Sequence, residues 1–136
     1  MKPIYLMFSC LLLANSTCDM VKDEEQKLRI NNKSEKAIYI SWTRDYPDTS
    51  INYLVNPTYN PQIKKVEAHS IQREYYSAPT KAFFKYNIDT LSVFIFDAQL
   101  LENTPWDTVK ARYLILKRYD LSLDDLNKMN WIIAYP

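Results

Sequence analysis

The chain of 136 residues contains no glycine, although glycine makes up about 7% of an average protein. P-loops, dinucleotide-binding fingerprints and the nucleophile elbow of α/β-hydrolases all need glycine, so the sequence excludes these sites. Turns with a positive φ must use other residues, and asparagine tolerates that conformation better than most. We expect such turns at six asparagines: Asn31, Asn32, Asn56, Asn60, Asn87 and Asn103.

Histidine and excess charge are scarce as well. His69 is the only histidine, and 17 basic side chains nearly balance 16 acidic ones. A balanced charge argues against nucleic acid or nucleotide partners. A hydrolytic triad would depend on His69, and no spacing in the sequence points to its partners. We therefore expect no catalytic residue, no cofactor and no metal site, and we interpret the chain as a protein that is not an enzyme.

Residues 1–17 have the pattern of an export signal. Lys2 supplies a positive charge, and the apolar stretch 3–14 follows it. A run of about a dozen apolar residues is too short to span a bilayer as a helix. We interpret 1–17 as a signal peptide that is removed from the mature protein.

Cys18 directly follows this leader. The segment from Asn15 to Cys18 resembles the lipobox of bacterial lipoproteins, with Asn15 at the position that is usually aliphatic. The resemblance implies a cysteine acylated at an outer membrane or cell surface, followed by a charged tether over 18–27. Cys10 would leave with the leader, so Cys18 would be a lone thiol in an exported chain, which favours a covalent role. The alternative is ordinary cleavage near Ser16, which would give a soluble periplasmic or secreted protein.

Residues 28–136 read as a single β-rich domain. Apolar and polar residues alternate over 28–31 and 37–43, which predicts an antiparallel pair of strands. Residues 91–96 are apolar on both faces, which predicts a central strand covered on both sides. Further strands are predicted by shorter apolar runs, over 51–55, 63–67, 70–75, 113–120 and 131–135.

Two helix starts stand out near the end of the chain. Thr104 is the expected N-cap of the first helix, with Pro105 at its first position and Asp107 completing a capping box, and this helix ends near Arg112. Ser122 opens a capping box for a second helix that stops near Asn130. The predicted fold is an antiparallel β-sandwich of immunoglobulin-like layout with two short helices in its C-terminal third. The alternative is an α+β sheet with these helices on one face.

Residues 44–62 contain three prolines, three asparagines and three tyrosines. Such a composition predicts a turn-rich loop rather than regular strands. Aromatic rings on loops can stack on sugars or anchor a protein partner. We therefore take Tyr46, Tyr53 and Tyr59 as candidate ligand-binding residues. The three tryptophans, Trp42, Trp106 and Trp131, are expected in the core.

The C-terminal part carries a recognisable order of motifs: LSVFIFDA, a helix opened by PW, RYDL, and finally NW followed by YP. This order resembles small lipoproteins of Gram-negative gut bacteria. The resemblance implies a compact, mostly β domain on a lipid anchor and supplies no catalytic residue. Our hypothesis is a lipid-anchored envelope protein with a binding or assembly role, whose partners are a membrane and an envelope protein or glycan. A carbohydrate-binding accessory of a surface glycan system is the alternative, and a small hydrolase is the least favoured.

Overall fold

The computed structural model describes residues 28–61, 63, 65–72, 83 and 85–136. The expected signal peptide, Cys18, the tether over 18–27 and the end of the predicted strand 70–75 lie outside the described residues. No helix in the described part of the chain is long and apolar enough to cross a membrane.

The described residues form two three-stranded sheets and three α-helices, a mixture of α and β structure. The strands are β1 Arg29–Asn32, β2 Ile38–Thr43, β3 Ser70–Ile71, β4 Thr90–Asp97, β5 Lys117–Ser122 and β6 Ile132–Tyr135. The helices are α1 Ala98–Asn103, α2 Trp106–Arg112 and α3 Leu123–Lys128, with a 3₁₀ turn at Pro57–Tyr59. One sheet has the antiparallel order β2-β4-β5. The other has the order β3-β1-β6, in which β1 is antiparallel to β3 and parallel to β6.

Strand β4 separates two apolar layers, as its sequence predicts. Every residue from Leu91 to Phe96 is buried. Leu91, Val93 and Ile95 pack in one cluster with residues of β1, β2, α3 and β6. Phe94 and Phe96 pack on the other side against Tyr39, the 44–61 segment and helices α1 and α2. Because side chains alternate across a strand, an apolar run of this kind can serve both layers at once.

The predicted antiparallel pairing of 28–31 with 37–43 is wrong. β1 lies beside β6, with Arg29 opposite Ile132, whereas β2 lies beside β4. Buried Asn32 explains the divergence, because its side-chain amide donates to the carbonyl oxygens of Val66 at 3.2 Å and Glu67 at 3.0 Å. A third bond joins the same amide to the carbonyl oxygen of Lys36 at 2.7 Å. Together these bonds hold the connection between β1 and β2 in a shape that places the two strands in different sheets, so they do not form a hairpin.

The parallel β1–β6 pair also departs from an all-antiparallel sandwich. The two sheets remain sandwich-like, but the immunoglobulin-like layout stays a prediction. Both predicted short helices are present, as α2 and α3, and the described residues contain a further helix, α1, that was not expected. Thr104 ends α1 rather than capping α2, whose N-cap is Pro105. The Ser122 capping box is confirmed, since Ser122 and Asp125 exchange hydrogen bonds at 2.9 and 3.1 Å.

Several short predictions of local structure also fail. Residues 51–55 form a turn instead of a strand. Among the described residues of 63–67, only Val66 forms a β-bridge, to Ile38. The strand predicted over 113–120 begins at Lys117, because Tyr113 ends α2 in the left-handed conformation. Among the six asparagines expected at positive φ, only Asn87 adopts it. The other described residues with positive φ are His69, Tyr113, Asn130 and Trp131.

Candidate functional site

The 44–61 segment is a loop fixed onto the sheet at three points. Ile51 is buried in the apolar cluster beneath β2 and β4. The indole nitrogen of Trp106 donates to the carbonyl oxygen of Leu54 at 3.2 Å. The hydroxyl of Tyr113 donates to the carbonyl oxygen of Thr49 at 2.8 Å. A loop held in this way can present its other side chains in a defined position.

The three candidate tyrosines all lie on the surface of this loop. Tyr53 and Tyr59 are each 80% exposed, and Tyr46 is 48% exposed. None of their hydroxyl groups has a hydrogen-bond partner among the described residues. Tyr59 lines the cavity described below, and no ring contact joins any two of these three tyrosines in the described part of the chain.

A cavity of about 390 Å³ lies between the 3₁₀ turn and the corner where α1 meets α2. We call it the aromatic cavity. Its principal lining residues are Asn56, Tyr59, Glu102, Asn103, Thr104 and Trp106. It combines two aromatic rings with amide, hydroxyl and carboxylate groups, a lining suited to a polar ligand that has some apolar surface.

Tyr59 stands on a capped turn. The side-chain oxygen of buried Asn56 accepts hydrogen bonds from the backbone N–H and the hydroxyl of Thr58, both at 3.0 Å. Pro57 occupies the first position of the 3₁₀ turn, where its fixed φ is favourable. The backbone that carries the Tyr59 ring is therefore well defined, although the ring itself is exposed.

Trp106 forms the opposite wall of the aromatic cavity. Its ring packs edge-on against Phe96, with centroids 5.8 Å apart. Because its N–H is already bonded to Leu54, what Trp106 offers a ligand is ring surface. The expectation of a core role was correct for the contact with Phe96 but missed the face that lines the cavity.

Glu102 lies at the other end of the aromatic cavity, where it accepts two hydrogen bonds on Oε1. One comes from the Lys65 ammonium at 2.7 Å and the other from the Tyr39 hydroxyl at 3.1 Å. The bonds from Lys65 and from Tyr39 lower the pKa of Glu102, so the carboxylate stays ionised. The hydrogen bond to Glu102 raises the pKa of Lys65. Burial, and then the hydrogen bond to Glu102, raise the pKa of Tyr39.

Glu102 also lines a second cavity, of about 300 Å³. We call it the charged cavity. Its principal lining residues are Glu35, Lys36, Lys65, Asp97, Gln99 and Glu102. Lys36 and Asp97 form an ion pair at 3.1 Å across it, and Lys65 and Glu102 form another.

His69 lines neither of the two cavities, but it lies beside Glu35, which lines the charged cavity. Its Nε2 is 3.0 Å from the Glu35 carboxylate, and the ring is largely exposed. The neighbouring Ser70 hydroxyl donates to the carbonyl oxygen of Glu67. Among the described residues, no group of three or more His, Cys, Asp or Glu side chains is placed to hold a metal ion.

No protein-family model matches this chain, and no curated protein and no solved structure is significantly similar to it. The resemblance to small lipoproteins of gut bacteria therefore stays a prediction. What the chain binds has to be argued from the geometry of its own residues.

Proposed function

We propose that this chain is a non-catalytic binding module of the cell envelope, held at a membrane by a lipid on Cys18. Its contact surface is the aromatic cavity together with the exposed ring of Tyr53. The observation that carries this proposal is Tyr59, which is 80% exposed yet stands on a capped turn at the cavity wall. Tyrosine offers a large contact area at a low cost in conformational entropy, which makes a fixed exposed ring an effective contact residue.

The contact surface is tested by purifying the tagged full-length protein from its own membranes after mild cross-linking, with mass spectrometry of what is bound. We expect a near-stoichiometric partner that is lost in a Tyr53→Ala/Tyr59→Ala double variant. Ile71→Ala is the matched control, because Ile71 is 50% exposed on β3 in the other sheet. A partner that survives the double variant would remove these tyrosines from the contact surface.

The anchor is tested by the intact mass of the mature protein. We expect acyl chains on the wild type and none on Cys18→Ala, which should also leave the membrane fraction. A mature chain that begins at Thr17 and carries no lipid would refute the anchor and support the soluble periplasmic or secreted alternative. The cross-linking experiment could then be repeated on the soluble fraction, because the contact surface does not depend on the anchor.

A carbohydrate-binding accessory of a surface glycan system is the second candidate. The lining of the aromatic cavity favours it, because the Tyr59 ring stands near the amide of Asn103, the hydroxyl of Thr104 and the carboxylate of Glu102. Side chains of these types donate and accept hydrogen bonds to neutral hydroxyl groups. Recovery of the protein without a protein partner would favour this candidate over the assembly role.

A further inference from the structure

Helix α1 lies between the two cavities and contributes to both. Gln99 lines the charged cavity, Asn103 lines the aromatic cavity, and Glu102 lines both. Residues three and four apart share one face of a helix. All three side chains are exposed, so the outer face of α1 is a ridge of amide, carboxylate and amide groups that runs from one cavity to the other.

We infer that the two cavities form one groove along α1, and that this groove binds a neutral oligosaccharide. One sugar ring stacks on Tyr59, and the chain passes over Glu102 into the charged cavity. The inference rests on the carbohydrate-binding candidate of the proposed function, not on its protein-assembly role, and gives that candidate a ligand class. The cavities measure about 390 and 300 Å³. Each is at the lower end of the roughly 300–1,000 Å³ of small-molecule sites, which favours a ligand that uses both.

The charges of the groove select a neutral ligand. Lys36 is paired with Asp97, and Lys65 is paired with Glu102. Glu35 lies 3.0 Å from His69, which is not a permanent charge, and the Glu35 side chain is largely exposed. Among these residues an anionic ligand would find no unpaired lysine, and a cationic ligand would find only the exposed Glu35 carboxylate. A sugar chain instead brings hydroxyl groups, which can bond to the paired side chains without breaking the pairs.

Glu102 is the best acceptor in the groove. Both of its hydrogen bonds fall on Oε1, which leaves Oε2 without a partner among the described residues. A carboxylate that accepts from a hydroxyl makes a charge-assisted bond, which is stronger than a bond between neutral groups. Lys65 and Tyr39 also fix the carboxylate in place, so a ligand does not have to order it.

A protein segment fits the groove less well than a sugar does. Protein contacts depend on apolar or aromatic anchors buried in deep, desolvated pockets. Of the apolar residues in the aromatic cavity, Leu101 is already buried beneath the surface. What remains accessible is the surface of Tyr59, Pro105 and Trp106 surrounded by polar groups, which suits a ligand with one apolar face and many hydroxyls.

The test is calorimetric titration of the full mature protein with four neutral hexasaccharides and their disaccharides: malto-, cello-, laminari- and xylo-oligosaccharides. We expect at least one hexasaccharide to bind about tenfold or more tightly than its disaccharide. Tyr59→Ala should weaken both ligands at least tenfold. Glu102→Gln should weaken the hexasaccharide, whereas the Ile71→Ala control should bind like the wild type.

The Gln99→Trp variant tests whether the ligand occupies both cavities or the aromatic cavity alone. Filling the charged cavity should bring the hexasaccharide to the affinity of the disaccharide and leave the disaccharide unchanged. Gln99→Arg serves as a second variant, and circular dichroism checks that each variant is folded. A hexasaccharide that binds equally well to both variants would overturn the groove. If none of the eight ligands binds, the inference is overturned as a whole, while a protein partner found by cross-linking would leave the binding module intact.

Discussion

Trp106 connects the sheet to the loop that carries the candidate site, and Trp106→Phe tests that connection. Phenylalanine keeps an aromatic ring against Phe96 and removes the N–H that bonds to the Leu54 carbonyl at 3.2 Å. One intramolecular hydrogen bond contributes a net ~0.5–1.5 kcal/mol to stability. Because the smaller ring also gives up some packing, we expect the free energy of unfolding to fall by about 1–2 kcal/mol.

Guanidinium chloride unfolding followed by tryptophan fluorescence and circular dichroism measures this loss. A loss of 1 kcal/mol corresponds to a fall in Tm of roughly 4–8 °C for a domain of about a hundred residues. Tyr53→Phe is the matched control, since Tyr53 is 80% exposed and its hydroxyl has no partner in the described part of the chain. The control should change stability by less than about 0.5 kcal/mol.

The Tyr113 hydroxyl holds the same loop through Thr49, so the two contacts should be coupled. Once Trp106→Phe has freed one side of the loop, Tyr113→Phe should cost less than it does in the wild type. A double-mutant cycle measures this difference, and residues that share one structural unit commonly couple by about 0.5 kcal/mol or more. Strictly additive losses, or a Trp106→Phe variant as stable as the wild type, would refute the idea that these bonds fix the loop.

Three further predictions concern the scaffold. Asn32→Ala should cost about 2–4 kcal/mol in denaturant unfolding, because it removes three hydrogen bonds donated by a fully buried side-chain amide, at roughly 0.5–1.5 kcal/mol each. Burial acts to raise the pKa of Asp97, but the N–H of Leu100 and the ammonium of Lys36 outweigh it and hold that pKa below 3.8. The stability that Asp97 contributes is therefore fully present above about pH 4 and is lost as the pH falls further. In urea unfolding, the free energy of unfolding of the Asp97→Asn variant should fall less between about pH 4 and lower pH than that of the wild type. Asn87 has a φ of 49°, so Asn87→Val should cost about 1–2 kcal/mol and Asn87→Gly should not, as thermal unfolding would show.

The periodicity of the sequence predicted which residues face a core, but not which strands are neighbours. The burial of 91–96 follows from an apolar run on both faces of a strand, and the structure confirms it. The alternation over 28–31 and 37–43 is equally regular, yet these strands belong to different sheets. Arg29 lies opposite Ile132, at the other end of the chain. Pairing at such a separation depends on tertiary packing, for which a local pattern carries no signal.

The lack of glycine correctly indicated that other residues must adopt a positive φ, but most of the positions predicted for them were wrong. Asn32 and Asn56 use their side chains to bind backbone groups instead of adopting a positive φ. Trp131 does adopt one, with a φ of 58° and a buried ring. Its indole N–H donates to Asn127 at 2.9 Å and its ring meets Phe83 edge-on. These contacts offset a left-handed cost of roughly 1–2 kcal/mol, which no local propensity would have predicted.

The candidate site was half predicted because its two halves have different kinds of sequence signal. The composition of the tyrosine-rich loop predicts an exposed loop with aromatic side chains. Helix α1 has no such signal, because it starts directly after β4: Asp97 is both the last residue of β4 and the N-cap whose side chain accepts from the N–H of Leu100. Glu102 looks in the sequence like any solvated glutamate. Its position depends on Lys65 and Tyr39, which are 37 and 63 residues away along the chain and come within hydrogen-bonding distance only when β2 and α1 pack together. A site of this kind is a property of the packed fold, so single substitutions at Lys65 or Tyr39 should alter it as directly as substitutions in the loop.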